Sequence, residues 1–178
     1  MNDIKMNTSN MSNSSKAEYN KVLVDETEKK REEWAENLKT LPPLLRSQVE
    51  HMVDANALAL SYRTMLLEEL HYFMSELAQE HKIMKELRAN KFIFYTTGLM
   101  PDGTRPTGKL AAHPLAGNAK LSGPNKELIM SGDFSEFEYT IDILSHMIEF
   151  LRENIKTIDQ TLYSVKNRIE MFNILGGR

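Results

Sequence analysis

The C-terminal quarter of the chain carries an unbroken heptad repeat of apolar residues. From Phe134 to Phe172, twelve apolar seam residues follow one another in alternating steps of three and four positions. A repeat of this length predicts one long helix that packs against other helices along its whole seam. We assign the seam to an oligomer interface, formed by Ile141, Leu144, Ile148, Leu151, Ile155, Ile158, Leu162, Val165, Ile169 and Phe172.

Apolar and aromatic residues also lie off this seam, which favours an assembly of several helices over a lone two-stranded coil. They are Tyr139, Ile143, Met147 and Tyr163. We expect the helix to start at about residue 134, with Asp133 or Ser135 as its cap, and to end at Gly176-Gly177.

A second, interrupted heptad seam runs from Leu45 to Phe94. Glycine and proline are absent between Leu44 and Thr97, which predicts one helix of some 50 residues, about 75 Å long. Its last seven residues, 91–97, have high β-propensity and read either as a frayed helix end or as a short strand. The polar seam positions are Asn56, Arg63, Glu80 and Lys91.

The N-terminal region has little apolar content. Residues 1–20 are polar and low in complexity, so we expect a disordered tail. Residues 25–40 predict a short, exposed, highly charged helix anchored by Trp34 and Leu38, which Pro42-Pro43 then breaks.

Glycine and proline concentrate between the two seams. Six of the eight glycines and four of the six prolines fall between Gly98 and Gly132, which predicts a loop over residues 98–133. The expected organisation is therefore a disordered tail (1–20), a helical region (21–97), this loop, and a heptad helix (134–178). The fold class is all-α, with long amphipathic helices in a helical-hairpin or coiled-coil-like arrangement.

Composition excludes several classes of protein. The chain has no cysteine, which removes disulfide and thiolate chemistry and favours the cytoplasm. No apolar run approaches the roughly 18 residues of a membrane span. The N-terminus is rich in Asn, Ser and Met and lacks the apolar core of a signal peptide.

Charge is segregated along the chain. Between Lys85 and Lys126 there are seven bases and two acids, although the formal net charge of the whole chain is −3. A local positive patch can steer a polyanion even on an acidic protein.

Bases and aromatics interleave at the start of this segment. Single-strand binders pair a cationic track, which contacts phosphates, with aromatic faces on which bases stack. The alternative is that the aromatics are core residues and the charges a solvated face. The candidate nucleic-acid-binding residues are Lys85, Arg88, Lys91, Phe92, Tyr95, Arg105 and Lys109.

Two motifs come close to enzyme signatures. The stretch Gly103–Lys109 nearly spells a phosphate-binding P-loop, but Leu110 replaces the required Ser or Thr and no strand leads into it. Glu68-x-x-His71 has the spacing of a di-iron carboxylate site, but no second such pair exists in the chain. We therefore predict no catalytic residues, no metal site and no cofactor. A helical metalloprotein or a divergent NTPase is the enzymatic alternative.

Two stretches resemble the UvsY-like recombination mediators of T-even-type bacteriophages. Residues 87–98 (LRANKFIFYTTG) look like that family's basic stretch running into paired aromatics and a glycine. Residues 163–178 (YSVKNRIEMFNILGGR) are similar to the family's C-terminal helix, which ends in basic residues, a Phe and a Gly followed by a base. The resemblance covers roughly residues 44–178.

The resemblance implies a helical protein without catalytic activity, which forms a hexamer- or heptamer-class homo-oligomer through its C-terminal region. Its partners would be single-stranded DNA, the phage recombinase and the phage single-strand-binding protein, in the host cytoplasm. It would help to load recombinase onto DNA covered by the binding protein, and Arg88 and Lys91 would contact the DNA. The alternative is a structural coiled-coil scaffold or virion assembly protein that ignores DNA.

Overall fold

The computed structural model describes residues 13–42, 49–107 and 123–176, and these form an all-α protein. Within these ranges there is no strand. The three long helices are α1 (Asn13–Lys39), α2 (Val49–Thr97) and α3 (Gly123–Gly176). In this part of the chain no helix is long and apolar enough to cross a membrane.

The chain divides into two compact units, and each helix contributes to both. Unit 1 comprises Met1–Val22 and Ala78–Asp142. Unit 2 comprises Leu23–Leu77 and Ile143–Arg178. In unit 1, α2 and α3 run antiparallel: Arg88 and Lys91 of α2 meet Glu138 and Asp133 of α3, so partner numbers fall as α2 advances.

Helix α1 begins earlier than predicted, and the expected disorder over residues 13–20 is wrong. It is also not an exposed helix, because it buries a stripe of side chains in alternating steps of four and three. Three of its five residues are polar, so the stripe lacks the apolar periodicity that identifies an amphipathic helix in a sequence. The buried stripe residues are Lys16, Asn20, Leu23, Thr27 and Trp34. Residues 1–12 lie outside the described ranges.

Helix α2 continues through the β-prone stretch. Residues 91–97 remain helical, because Phe94 and Tyr95 are buried in a cluster with Met84, Met130 and Phe134. This packing outweighs the local propensity. Gly98 then adopts a left-handed φ of 72° and its N–H bonds the Phe94 carbonyl at 2.8 Å, an αL cap that ends the helix.

Helix α3 begins at Gly123, so the predicted loop is too long at its C-terminal end. Pro124 suits the first turn of a helix. Burial of Met130 against the aromatics of α2 stabilises these early turns despite Gly132 in the helix interior. Residues 108–122, the central part of the predicted loop, are outside the described ranges.

The α3 seam forms the interior of the single chain. Packing against the chain's own α1 and α2 leaves these side chains no free surface for a second subunit, so the predicted oligomer interface is wrong for them. The buried seam residues are Leu144, Ile148, Leu151, Ile155, Ile158 and Val165. Ile141, Leu162 and Ile169 are half-buried.

The last turns of α3 differ from its middle. Phe172, the final seam residue, is 57% exposed. Together with four exposed neighbours it forms what we call the apolar end: Tyr163, Met171, Phe172, Ile174 and Leu175. Contiguous exposed apolar patches are typical of association sites. The C-terminal assembly stays a prediction, and these five residues are the exposed apolar residues at the end of α3.

Candidate nucleic-acid interface

The helical part of the predicted basic–aromatic cluster, Lys85 to Tyr95, lies in unit 1 on about the last four turns of α2. The helix divides it between two faces. A helix places residues three and four apart on one face. Lys85 and Phe92 therefore share a face that is exposed, whereas Lys91 and Tyr95 turn toward α3. Arg88 lies between the two faces and reaches α3 through its guanidinium.

The exposed face contains a base that sequence reasoning missed. Lys82 precedes Lys85 by three residues and is exposed, as are Ala89 and Phe92. We call Lys82, Lys85, Ala89 and Phe92 the outward face of α2. Phe92 is 50% exposed. The periodicity of α2 could have identified Lys82, because it lies on the same stripe as Lys85 and Phe92.

The two outward lysines make no ion pair with any residue of the described ranges. Glu86 flanks them on the same helix, but its carboxylate forms no ion pair with either amine. Two ammonium groups one turn apart, followed by an exposed ring, form a short cationic track with a stacking surface. Such a track contacts phosphates and bases without reading a base sequence.

Arg88 and Lys91, the two bases that the family resemblance singles out, are engaged inside the chain. Arg88 Nη2 is 2.8 Å from Glu138 Oε1, and Lys91 Nζ is 2.9 Å from Asp133 Oδ2. The Arg88 guanidinium also lies over the Phe134 ring, 5.8 Å from its centroid. Each base is therefore neutralised by a carboxylate of α3.

Tyr95 is not available as a stacking surface. Its ring is 2% exposed and its hydroxyl donates to Asp133 Oδ2 at 2.8 Å. Burial, together with this hydrogen bond and the carboxylate charge, raises the pKa of Tyr95 well above its ordinary value of 10.0. Tyr95 thus stays a protonated donor at neutral pH, and the prediction that it stacks on bases is wrong.

The turn after α2 presents Arg105. Asp102 Oδ1 accepts from the Thr104 N–H at 2.9 Å and from its hydroxyl at 2.6 Å, and Gly103 supplies the left-handed φ of 80°. The two bonds from Thr104 lower the pKa of Asp102. Arg105 follows this turn and is exposed, and its contact with a phosphate stays a prediction. Lys109 lies outside the described residues, as does Gly108 of the P-loop-like stretch.

The histidine motif gains no support from the geometry. His71 is exposed on α2. Across residues 13–42, 49–107 and 123–176, His, Asp and Glu side chains nowhere form a group of three that could hold a metal ion.

Comparison with known proteins adds no relative: no family model, no curated protein and no solved structure matches the chain.

Proposed function

We propose that this protein is a recombination mediator that binds single-stranded DNA as a homo-oligomer and helps to load a recombinase onto DNA covered by single-strand-binding protein. One observation carries the proposal: Lys82, Lys85 and Phe92 lie exposed on the outward face of α2, within about 15 Å along the helix. Three parts of the proposal come from the resemblance to UvsY-like mediators: the recombinase partner, the single-strand-binding-protein partner and the location in the host cytoplasm. The proposal includes no catalytic step, metal or cofactor.

The outward face is small, so a single subunit would bind DNA weakly. Two phosphate contacts and one stacked base give modest affinity at physiological salt. Repetition of the same face in an oligomer raises the effective concentration at each further site, which multiplies weak contacts into avidity. Such binding is firm overall but releases one site at a time. A mediator that hands DNA from one protein to another needs this property.

The apolar end of α3 supports the assembly part of the proposal. Phe172 continues the heptad register of the buried seam, but its side chain and that of Ile174 are exposed. A second copy that covers these residues would bury apolar surface, which is favourable at about 25 cal/mol per Å². The hexamer or heptamer class comes from the resemblance.

DNA binding is tested with a fluorescently labelled single-stranded oligonucleotide, titrated with protein at low and moderate salt, with duplex DNA of the same sequence for comparison. We expect binding that favours the single strand and weakens with salt. Lys82→Ala/Lys85→Ala should weaken it and reduce the slope of log K against log salt by about 1.4, because each phosphate that a lysine no longer neutralises lowers the slope by about 0.7.

The matched control removes the same charge from another helix. Lys21→Ala/Lys29→Ala changes two exposed lysines of α1 and should leave affinity and slope unchanged. If both double variants lose the same affinity, net charge explains the binding. The outward face would then no longer be the proposed DNA site.

A structural coiled-coil scaffold is the second candidate, favoured by the apolar end alone. Sedimentation of the full chain separates the two candidates when combined with the DNA titration. An oligomer that does not bind single-stranded DNA even at low salt would support the scaffold. An oligomer that binds would lead next to an assay of recombinase loading.

A further inference from the structure

Two carboxylates of α3 form ion pairs with the two basic side chains, Arg88 and Lys91, that the mediator hypothesis assigns to DNA binding. Asp133 accepts from Lys91 at 2.9 Å, and Glu138 accepts from Arg88 at 2.8 Å. A phosphate that approaches either base therefore meets an ion pair of zero net charge. From the proposed function, on which this step rests, we infer that Asp133 and Glu138 are internal competitors of the DNA phosphates: a strand engages the outward lysines first and gains Arg88 and Lys91 only by displacing these carboxylates.

The two ion pairs are built so that an anion can displace them. Both are open to solvent: the side chains of Lys91 and Asp133 are each 34% exposed, and Arg88 and Glu138 are more exposed still. Ion pairs at this degree of exposure contribute little net free energy, because water and salt compete for both partners. A phosphate needs only a small advantage to replace the carboxylate.

Displacement leaves each carboxylate either hydrogen-bonded or solvated. When Lys91 turns to a phosphate, Asp133 keeps the hydrogen bond from Tyr95, whose hydroxyl donates to the same Oδ2 atom. The raised pKa of Tyr95 keeps that donor protonated. Glu138 is solvated once Arg88 leaves it. A carboxylate that loses its cation yet remains satisfied makes the exchange reversible, unlike the removal of a partner from a buried ion pair.

The positions along α2 give the order of engagement. Lys85 makes no ion pair within the described ranges and lies one turn before Arg88, which lies one turn before Lys91. A phosphate held at Lys85 is therefore next to the first competing pair. As the two ion pairs open, the number of phosphates that the helix contacts would rise. The affinity for the strand would rise with it.

The test is a cycle of variants in the full chain, measured with the same labelled oligonucleotide. Asp133→Asn/Glu138→Gln removes the competing charges and keeps an acceptor for Tyr95. We expect it to bind single-stranded DNA about fivefold more tightly than the wild type, with a salt slope larger by up to about 1.4. The control Glu127→Gln/Asp142→Asn removes equal charge from exposed positions of α3 in the same unit and should change affinity by less than about twofold.

The cycle is closed with Arg88→Gln/Lys91→Gln. If Asp133 and Glu138 act through these bases, the gain must vanish when all four substitutions are combined, which is a coupling between the pairs. A gain that persists without Arg88 and Lys91 would overturn the inference, because it would be a long-range effect of charge. No gain over the Glu127/Asp142 control would also overturn it.

The outcomes distinguish this inference from the proposed function. Wild-type binding that depends on Lys82 and Lys85, without coupling in the cycle, overturns the competition and leaves the function in place. No binding by any variant overturns both. If Asp133→Asn lowers the thermal midpoint, Glu138→Gln alone with Arg88→Gln repeats the cycle at the more exposed pair.

Discussion

The interiors of the two units are built from different chemistry. Unit 2 is closed by apolar side chains, with Leu66, Leu151 and Ile158 fully buried. Unit 1 places a buried ion pair in its interior, Lys16 Nζ to Glu80 Oε1 at 2.7 Å, where the lysine is 0% exposed.

A second polar contact lies near that pair in unit 1. Asn20 and Thr140 are both buried and are hydrogen-bonded to each other, and Asn20 Nδ2 also donates to the Glu136 carbonyl at 2.8 Å. Apolar contact stabilises without direction, whereas a buried polar contact requires one register. In unit 1, which carries the candidate DNA interface, buried polar contacts therefore hold the helices in register.

The largest expected effect comes from the apolar interior of unit 2. Leu151→Ala removes a fully buried side chain and leaves a cavity, so we expect a loss of about 4 kcal/mol in the free energy of unfolding. Chemical denaturation followed by circular dichroism measures this loss. The control is Phe172→Ala at the apolar end, measured at a dilution where the chain is monomeric. It should change stability by less than about 0.5 kcal/mol.

A loss below about 1 kcal/mol for Leu151→Ala would mean that the α3 seam is not the interior of a single chain. The comparison between the units would then fail on its apolar side.

The buried ion pair tests the polar side of the comparison. Lys16→Met leaves the Glu80 carboxylate buried without its cation, and we expect a loss of about 3 kcal/mol. The lysine also lies 4.6 Å from the centroid of the Tyr19 ring and 5.0 Å from that of Phe137, and a methionine side chain preserves this packing only in part.

Replacing both charges sharpens that result. In Lys16→Met/Glu80→Leu no buried charge remains, and stability should return to within about 1 kcal/mol of the wild type. A second substitution of this kind cannot restore the stability lost in Leu151→Ala, because that loss comes from a cavity and not from an unpaired charge. If the double variant is as unstable as Lys16→Met, the lost stability comes from packing around Lys16 and not from the unpaired carboxylate.

A smaller effect is expected at the hydrogen bond between Tyr95 and Asp133. Tyr95→Phe keeps the buried ring and removes the donor, for a loss of about 1 kcal/mol at neutral pH. Because the folded chain raises the pKa of Tyr95, its contribution is fully present below the unfolded value of 10.0 and is lost as pH rises above it. The difference in stability between wild type and variant should therefore shrink above about pH 10. A difference that stays constant between about pH 8 and pH 11 would contradict the raised pKa.

The smallest effect is expected at an exposed ion pair of unit 2 that joins α2 and α3. Arg63 Nε lies 2.6 Å from Asp159 Oδ1, and this contact raises the pKa of the guanidinium. Solvent and salt screen such a pair, so Arg63→Ala should leave the denaturation midpoint unchanged within experimental error. Leu66→Ala, one turn further along α2, serves as the destabilised reference. A clear shift for Arg63→Ala would show that unit 2 also depends on charge.

Much of the fold could be predicted from local pattern. The α3 seam predicted one long helix, and the absence of Gly and Pro predicted α2. The interrupted seam of α2 was also informative, because three of its polar positions are those that other helices meet with opposite charge: Arg63 with Asp159, Glu80 with Lys16, and Lys91 with Asp133. The early start of α1 could not be predicted, since its buried stripe includes Lys16 and Asn20, which carry no apolar signal.

The candidate site, too, could be predicted only in part from the sequence. Sequence alone identified the basic–aromatic stretch, because residue type and spacing are local properties of one helix. It could not assign Lys85 and Phe92 to the open face and Tyr95 to the interior, since that assignment depends on which side of α2 meets α3.

The sequence by itself thus determined α2, most of α3 and the residues that interrupt their seams, because the heptad repeat is a short-range property of the chain. Tertiary structure alone decided which of the charges on α2 are paired with a carboxylate of the described residues. The partner carboxylates lie 42 residues from Lys91 and 50 from Arg88 along the chain, and a separation of that size leaves no periodic signal that could pair them in advance.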